Sequence, residues 1–139
     1  MIRGLGTDVV EVARVEELWR RQGDKLLTRV LAPLELASIH QLPQRRQAEY
    51  LAGRFAAKEA IAKALGRGLG HLHMARVAVT PNEWGRPTVV WTPHGQADTE
   101  WLEAAAGVWH VSISHTAEVA LAAAVWEQPE GSSGLAGLY

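Results

Sequence analysis

Cysteine is absent from the 139 residues. That excludes a disulfide framework, thiolate metal sites and a cysteine nucleophile. No charge of one sign dominates either: 14 Lys plus Arg stand against 15 Asp plus Glu, a formal net charge of -1. The chain as a whole therefore has no general attraction for nucleic acid, although a local basic patch can still bind a phosphate-bearing partner. No run approaches the roughly 20 apolar residues of a membrane span, and the N-terminus lacks the basic and then hydrophobic pattern of a signal peptide. The expected location is the cytoplasm, with no membrane association. No internal repeat or domain boundary interrupts the chain.

What is present reads as one α+β domain. At 47% apolar and 21% charged the chain is globular, and its length suits a single core. "IRGLGTDVVEV" is a strand candidate, read as broken by Gly4 and Gly6. Helical spacing follows at Val15, Leu18 and Trp19 and again from Leu26 to Leu31, with Gly23 dividing the two pieces. Pro33 opens another helix, which Pro43 limits. The strongest helix signal runs from Gln47 to about Leu65, rich in alanine and free of proline. "ARVAVTPNEWGRPTVVW" predicts a hairpin around Pro81, Asn82 and Gly85. A helix is expected from Ala97 to Ala106, and "WHVSISHTAEVALAAAVWE" predicts two more strands. The domain is expected to span 1–127, with 128–139 a flexible tail of small residues.

Several side chains have the right chemistry for a site. Asp8 sits amid glycine and valine, where an aspartate also serves as a turn residue. Glu59 projects only about 40° from Phe55 and about 60° from Ala62, toward the apolar side of its helix. A carboxylate there needs a cation, a metal or a hydrogen-bond donor. Lys63, one turn later, would supply the cation in a purely structural pair. Asp8 and Glu59 together would instead suit Mg²⁺, which takes one or two protein carboxylates, keeps several waters and completes its shell with phosphate.

Gly66, Gly68 and Gly70 follow the helix end, where bare backbone can approach a ligand closely. A helix C-terminus repels anions, so these N–H groups would need a nest-like arrangement with lysine support. Arg54, Lys58, Lys63 and Arg67 are read as positive charge clustered on both sides of Glu59. In "SISHT", strand alternation puts Ser112, Ser114 and Thr116 on one side and Ile113 and His115 on the other. A Ser114–His115 hydrolase is disfavoured, since neighbours in a strand point apart and no G-x-S-x-G elbow is present. His115 and the serines better suit hydrogen bonding to a phosphate or heterocycle. The histidines lack zinc-site spacing, and most of the six tryptophans are expected in the core or an interface.

Three segments, "GLGTDVVEVARVEEL" (4–18), "LAGRFAAKEAIAKALGRGLG" (51–70) and "WHVSISHTAEVALAAAV" (109–125), resemble those of bacterial holo-acyl-carrier-protein synthase. That family is the short type of 4′-phosphopantetheinyl transferase. With the hairpin, the resemblance runs from residue 1 to about 127. It implies the family's fold: an antiparallel sheet packed by a long central helix, assembling as a homotrimer with coenzyme A sites between subunits. It implies transfer of the 4′-phosphopantetheine group of coenzyme A to a serine of apo-acyl carrier protein, releasing adenosine 3′,5′-bisphosphate, a step of fatty acid biosynthesis. By the family pattern Asp8 and Glu59 bind Mg²⁺, and Lys63 lies beside the pyrophosphate. Arg54 and His115 match positions associated with the nucleotide, alongside Gly66, Gly68 and Ser114. The carrier protein would dock on Arg14–Arg29. Glu59 is the preferred general base and Lys63 the alternative. Competing readings are an inactive coenzyme A-binding regulatory module and the Ser-His hydrolase.

Overall fold

The computed structural model describes residues 1–66, 73–92 and 99–129. Arg67, Gly68, Gly70, the first two residues of the helix expected from Ala97, and the tail from 130 onward lie outside them. Strand β1 (Ile2–Glu11) leads directly into helix α1 (Val12–Gln22). Gly23, at φ 62, turns the chain into α2 (Asp24–Val30), a conformation that suits glycine. Pro33 opens α3 (Pro33–Gln41), and the long helix α4 (Gln44–Ala64) follows. A short 3₁₀ turn (Met74–Arg76) precedes the hairpin of β2 (Val77–Pro81) and β3 (Pro87–Trp91). Helix α5 (Thr99–Ala106) leads to β4 (Val108–His115) and β5 (Val119–Glu127).

Strands β1, β5 and β4 form an antiparallel sheet in the order β1-β5-β4, and β2 pairs with β3 separately. Helix α4 lies across the main sheet and is its central packing partner. This agrees with the α+β expectation of an antiparallel sheet packed by one long helix.

Gly4 and Gly6 do not break β1. The strand runs unbroken through both, with a register irregularity only between Ile2 and Gly4. Their role is spacing. A Cβ at Gly4 would overlap the Ala64 carbonyl oxygen, and one at Gly6 the Ala60 carbonyl oxygen. Facing them, α4 presents Ala56, Ala60 and Ala64, and β5 presents Ala120, Ala122 and Ala124, all buried. Small residues on all three surfaces let helix and sheet approach closely, which explains the alanine content of α4.

Two core clusters result. One joins α4 to β5, β2 and the indoles of Trp101 and Trp126. Trp109 stacks on Trp126 with ring centroids 5.8 Å apart, and Trp91 meets Trp101 edge-on at 5.1 Å. The other cluster packs α1 and α2 against the first half of α4 through Val15, Leu26, Leu27, Val30 and Leu51. Because both clusters use α4, it is buried on most sides and has no single apolar stripe. Gln128 donates its backbone N–H to Met1 O at 3.0 Å, so the first residue of the expected tail is tied to the N-terminus. Among the described residues, no helix is long and apolar enough to cross a membrane.

Candidate active site

Alternation along β1 points Gly4, Gly6 and Asp8 toward α4 and Leu5, Thr7 and Val9 away from it. The glycines bring the helix in, and the next inward position carries a carboxylate. Asp8 therefore meets the last two turns of α4, where Glu59 and Lys63 lie one turn apart. Lys63 Nζ donates to Asp8 Oδ1 at 3.2 Å and to Thr7 O at 3.0 Å. Among the described residues its ion pair is with Asp8, not with Glu59. The purely structural helix pair is thus not what forms.

Glu59 is half-buried, and burial pushes its carboxyl above the ordinary range. Asp8 pushes it further, while Lys63 pulls it back. Two acidic groups and one ammonium converge at the mouth of a groove of about 480 Å³ between β1, α1 and α4. Val15, Leu18, Leu51 and Phe55 line its apolar wall, and Arg14 stands on its rim.

The structure brings together Asp8, Glu59 and Lys63, and it does not bring Arg54 to them. Five residues of helix turn Arg54 about 140° away from Glu59. Arg54 Nε donates to Val79 O at 3.1 Å, its guanidinium lies 4.3 Å from the Tyr50 ring centroid, and Nε is 4.0 Å from Glu35 Oε2. His115, at the end of β4, places Nδ1 3.1 Å from Glu49 Oε2 on α4. Ser114 is exposed and pairs in register with Leu121. Ile113 packs toward α4, so alternation sends the Ser114 side chain to the opposite face from His115. That leaves a Ser114–His115 relay no geometric basis. Thr116 leaves the strand, its Oγ1 accepting from the N–H groups of Glu118 and Val119. Gly66, at φ 77, closes α4 by donating its N–H to Lys63 O at 3.0 Å. The Gly68 and Arg67 contributions lie outside the described residues.

Lys58 corrects the sequence reading. It does not join a positive cluster around Glu59, because its side chain is fully buried on Glu35. Glu35 itself was missed. Two signals were available: Lys58 is flanked one turn away on α4 by Phe55, Ile61 and Ala62, and Glu35 stands at the third position of a helix opened by proline, where a carboxylate caps the backbone. The Glu49 partner of His115 was also missed, since only the sheet–helix packing brings the two together.

Among the described residues no group of three or more His, Cys, Asp or Glu side chains is arranged to hold a metal. Of the three carboxylates that line the groove, Asp8, Glu11 and Glu59, Asp8 is the one close enough to act on Glu59. Two carboxylates, of which Asp8 disfavours the charge on Glu59, fit a hard divalent ion with an open, hydrated shell, and they do not fit tetrahedral zinc.

Residues 4–124 match the model of the 4′-phosphopantetheinyl transferase superfamily. The chain is 43% identical over 129 residues to the holo-acyl-carrier-protein synthase of Geobacillus kaustophilus, covering 92% of this chain and 91% of that one. It is 44% identical over 131 residues to that of Alkalilimnicola ehrlichii, covering 94% and 100%. Among solved structures, the Neisseria meningitidis synthase superposes with a TM-score of 0.80 at 35% identity, covering 92% of this chain and all of that one. The Bacillus anthracis synthase, in complex with coenzyme A (3′,5′-ADP), gives 0.76 at 33%, covering 93% and 99%. Motifs, sheet order, the glycine-spaced helix and these matches agree: the chain belongs to the 4′-phosphopantetheinyl transferase superfamily.

Proposed function

We propose that this chain catalyses the reaction named by its relatives, transfer of the 4′-phosphopantetheine group of coenzyme A to a serine of apo-acyl carrier protein. The observation that carries this reading is the convergence of Asp8, Glu59 and Lys63 in one groove at the seam of β1 and α4. In the transfer, the serine Oγ forms a bond to the β-phosphorus of coenzyme A. The bond from that phosphorus to the leaving oxygen breaks, and adenosine 3′,5′-bisphosphate departs. The serine proton must go to a base, and Glu59 is the better candidate: its raised pKa keeps the carboxylate basic. Lys63, anchored beside Glu59 by its hydrogen bonds to Asp8 and Thr7 O, supports a role in neutralising charge on the pyrophosphate. Asp8 and Glu59 would hold Mg²⁺, which when bound supplies electrostatic stabilisation of the phosphoryl oxygens.

The finer parts of the reading have separate support. On the face turned away from α4, the main sheet exposes Leu5 (65%), Val9 (59%) and Leu121 (45%), an apolar surface suited to burial in a closed assembly. A homotrimer would use that face. It would also give Arg54, on the far side of α4 from Lys63, and His115, held by Glu49 near the start of α4, a way to meet a nucleotide held by a neighbour's Asp8, Glu59 and Lys63. Arg14, Arg21, Lys25 and Arg29 are all exposed, and the last three line one recess with Thr28. Their position between the groove rim and α2 suits docking of an acidic carrier protein. Residues 1–127 form the transferase domain of this reading, acting in the cytoplasm in fatty acid biosynthesis.

Mass spectrometry of apo-carrier protein incubated with coenzyme A tests the reaction, with and without Mg²⁺. A mass increase of one phosphopantetheine group is expected only with both present. Asp8→Ala and Glu59→Ala should each remain folded and lose on the order of 10²-fold or more in rate. Near-normal turnover in either variant would remove it from the site. Coenzyme A binding without any transfer would favour the regulatory-module reading instead.

A further inference from the structure

The interior holds a charged pair that the transfer chemistry does not use. Among the described residues, Glu35 and Lys58 are the only charged side chains buried from solvent. Lys58 Nζ donates to Val30 O at 2.6 Å, to Met74 O at 3.0 Å and to the Glu35 carboxylate. Glu35 also accepts from the Ala32 N–H at 2.8 Å through Oε1 and from the Val79 N–H at 2.9 Å through Oε2. The network ties α2, α3, α4, the Met74 turn and β2 together. A buried ion pair adds little stability over apolar residues of equal volume, so its presence at this depth calls for a further role.

The outward end of the network is Arg54. Glu35 Oε2 lies 4.0 Å from Arg54 Nε. The same oxygen holds the Val79 N–H, while the Val79 carbonyl accepts from Arg54 Nε at 3.1 Å. Glu35 therefore fixes the inner edge of the guanidinium twice, by direct charge and through the Val79 residue. The Tyr50 ring covers one face at 4.3 Å. Only 15% of the Arg54 side chain is exposed. A guanidinium recognises oxyanions through a planar fork, so its strength as a ligand depends on how that plane is aimed. Without Glu35, the same arginine would keep its charge and lose its direction.

We propose that Glu35, clamped by Lys58, is a positioning residue that aims the Arg54 fork at the nucleotide oxyanions of coenzyme A. This rests on the reading of Arg54 as a nucleotide-binding residue. Glu35 touches neither substrate nor reacting atoms, and its effect passes through Arg54. Lys58 contributes by holding the other carboxylate oxygen of Glu35 in place, opposite the one bound by the Val79 N–H.

Calorimetric titration of adenosine 3′,5′-bisphosphate into the wild type, Glu35→Gln, Arg54→Ala and the Glu35→Gln/Arg54→Ala double variant tests this. Arg54→Ala is expected to weaken binding. Glu35→Gln should weaken it about tenfold in the wild-type background, within the range for changes that act without ligand contact, and add nothing once Arg54 is gone. In transfer assays Glu35→Gln should raise KM for coenzyme A by more than it lowers kcat. If Glu35→Gln proves unfolded at the assay temperature, Glu35→Gln/Lys58→Met, which removes both charges at similar volume, carries the same comparison against Arg54→Ala. An equal loss in both backgrounds would make Glu35 a purely structural residue, and no loss would overturn the proposal. Wild-type affinity in Arg54→Ala would instead overturn the reading of Arg54, and this inference with it.

Discussion

Replacing Gly6 with alanine is the smallest perturbation that should damage the site without replacing any of its functional side chains. The added Cβ would overlap the Ala60 carbonyl oxygen outright. It would lie 2.8 Å from the Ala64 nitrogen and 2.9 Å from Lys63 Cβ, where ordinary contact begins near 3.4 Å. Two of the three obstacles are backbone of a helix packed on most sides, so no rotamer change relieves them. Strand and helix must part by at least about 0.6 Å at the nitrogen, and by more at the carbonyl. Overpacking of this kind costs about 1–3 kcal/mol.

The same movement separates Asp8 from Lys63, which now share a 3.2 Å contact. A displacement approaching 1 Å in a reacting constellation can cost on the order of 10²-fold in rate. Gly53→Ala is the internal comparison. Its Cβ would meet only the Ile113 Cγ2 methyl, at 3.3 Å, and a helix-interior alanine gains about 0.5–1 kcal/mol over glycine. Urea unfolding at fixed protein concentration, with carrier-protein transfer rates on the same samples, should show Gly6→Ala destabilised and slow and Gly53→Ala neutral or stabilised. If Gly6→Ala matched the wild type in both, the claim that glycine spacing builds the site would fail.

Without divalent ion, Glu59→Gln should change the pH dependence of stability. Its carboxyl pKa is raised in the fold, so the folded protein binds more protons and the wild type loses stability as pH climbs from about 4.5 through the raised value. The glutamine variant should lack that loss and gain in relative melting temperature above this window; parallel curves in chelator would refute the burial and Asp8 effects. Arg14→Glu or Arg21→Glu should weaken carrier-protein binding far more than coenzyme A binding, and rising salt should slow wild-type transfer; equal carrier affinity by calorimetry would remove this region from the docking surface. Light scattering should report about three chain masses for the wild type, and Val9→Lys or Leu121→Lys on the exposed sheet face should lower that mass. An unchanged mass in both variants would move the assembly surface elsewhere.

The sequence by itself determined most of the elements and singled out the candidate groups of the site. Gly23, Pro33 and Pro43 set helix limits, alternation in "SISHT" separated Ser114 from His115, and the unusual carboxylate among alanines singled out Glu59. These are local properties, carried by backbone preference and by periods of 2 and 3.6 residues. What the sequence left open depends on which surfaces meet. Gly4 and Gly6 look like strand breakers until α4 is seen to need the space of their missing side chains. Lys63 looks like the partner of Glu59 until β1 brings Asp8 to it across 55 residues of chain. Lys58, 23 residues from Glu35, reads as part of a positive cluster around Glu59, and Glu35 does not stand out as its partner. Only the packing of α3, α4 and β2 buries both, and once buried each must find the other, because neither charge is tolerable there alone.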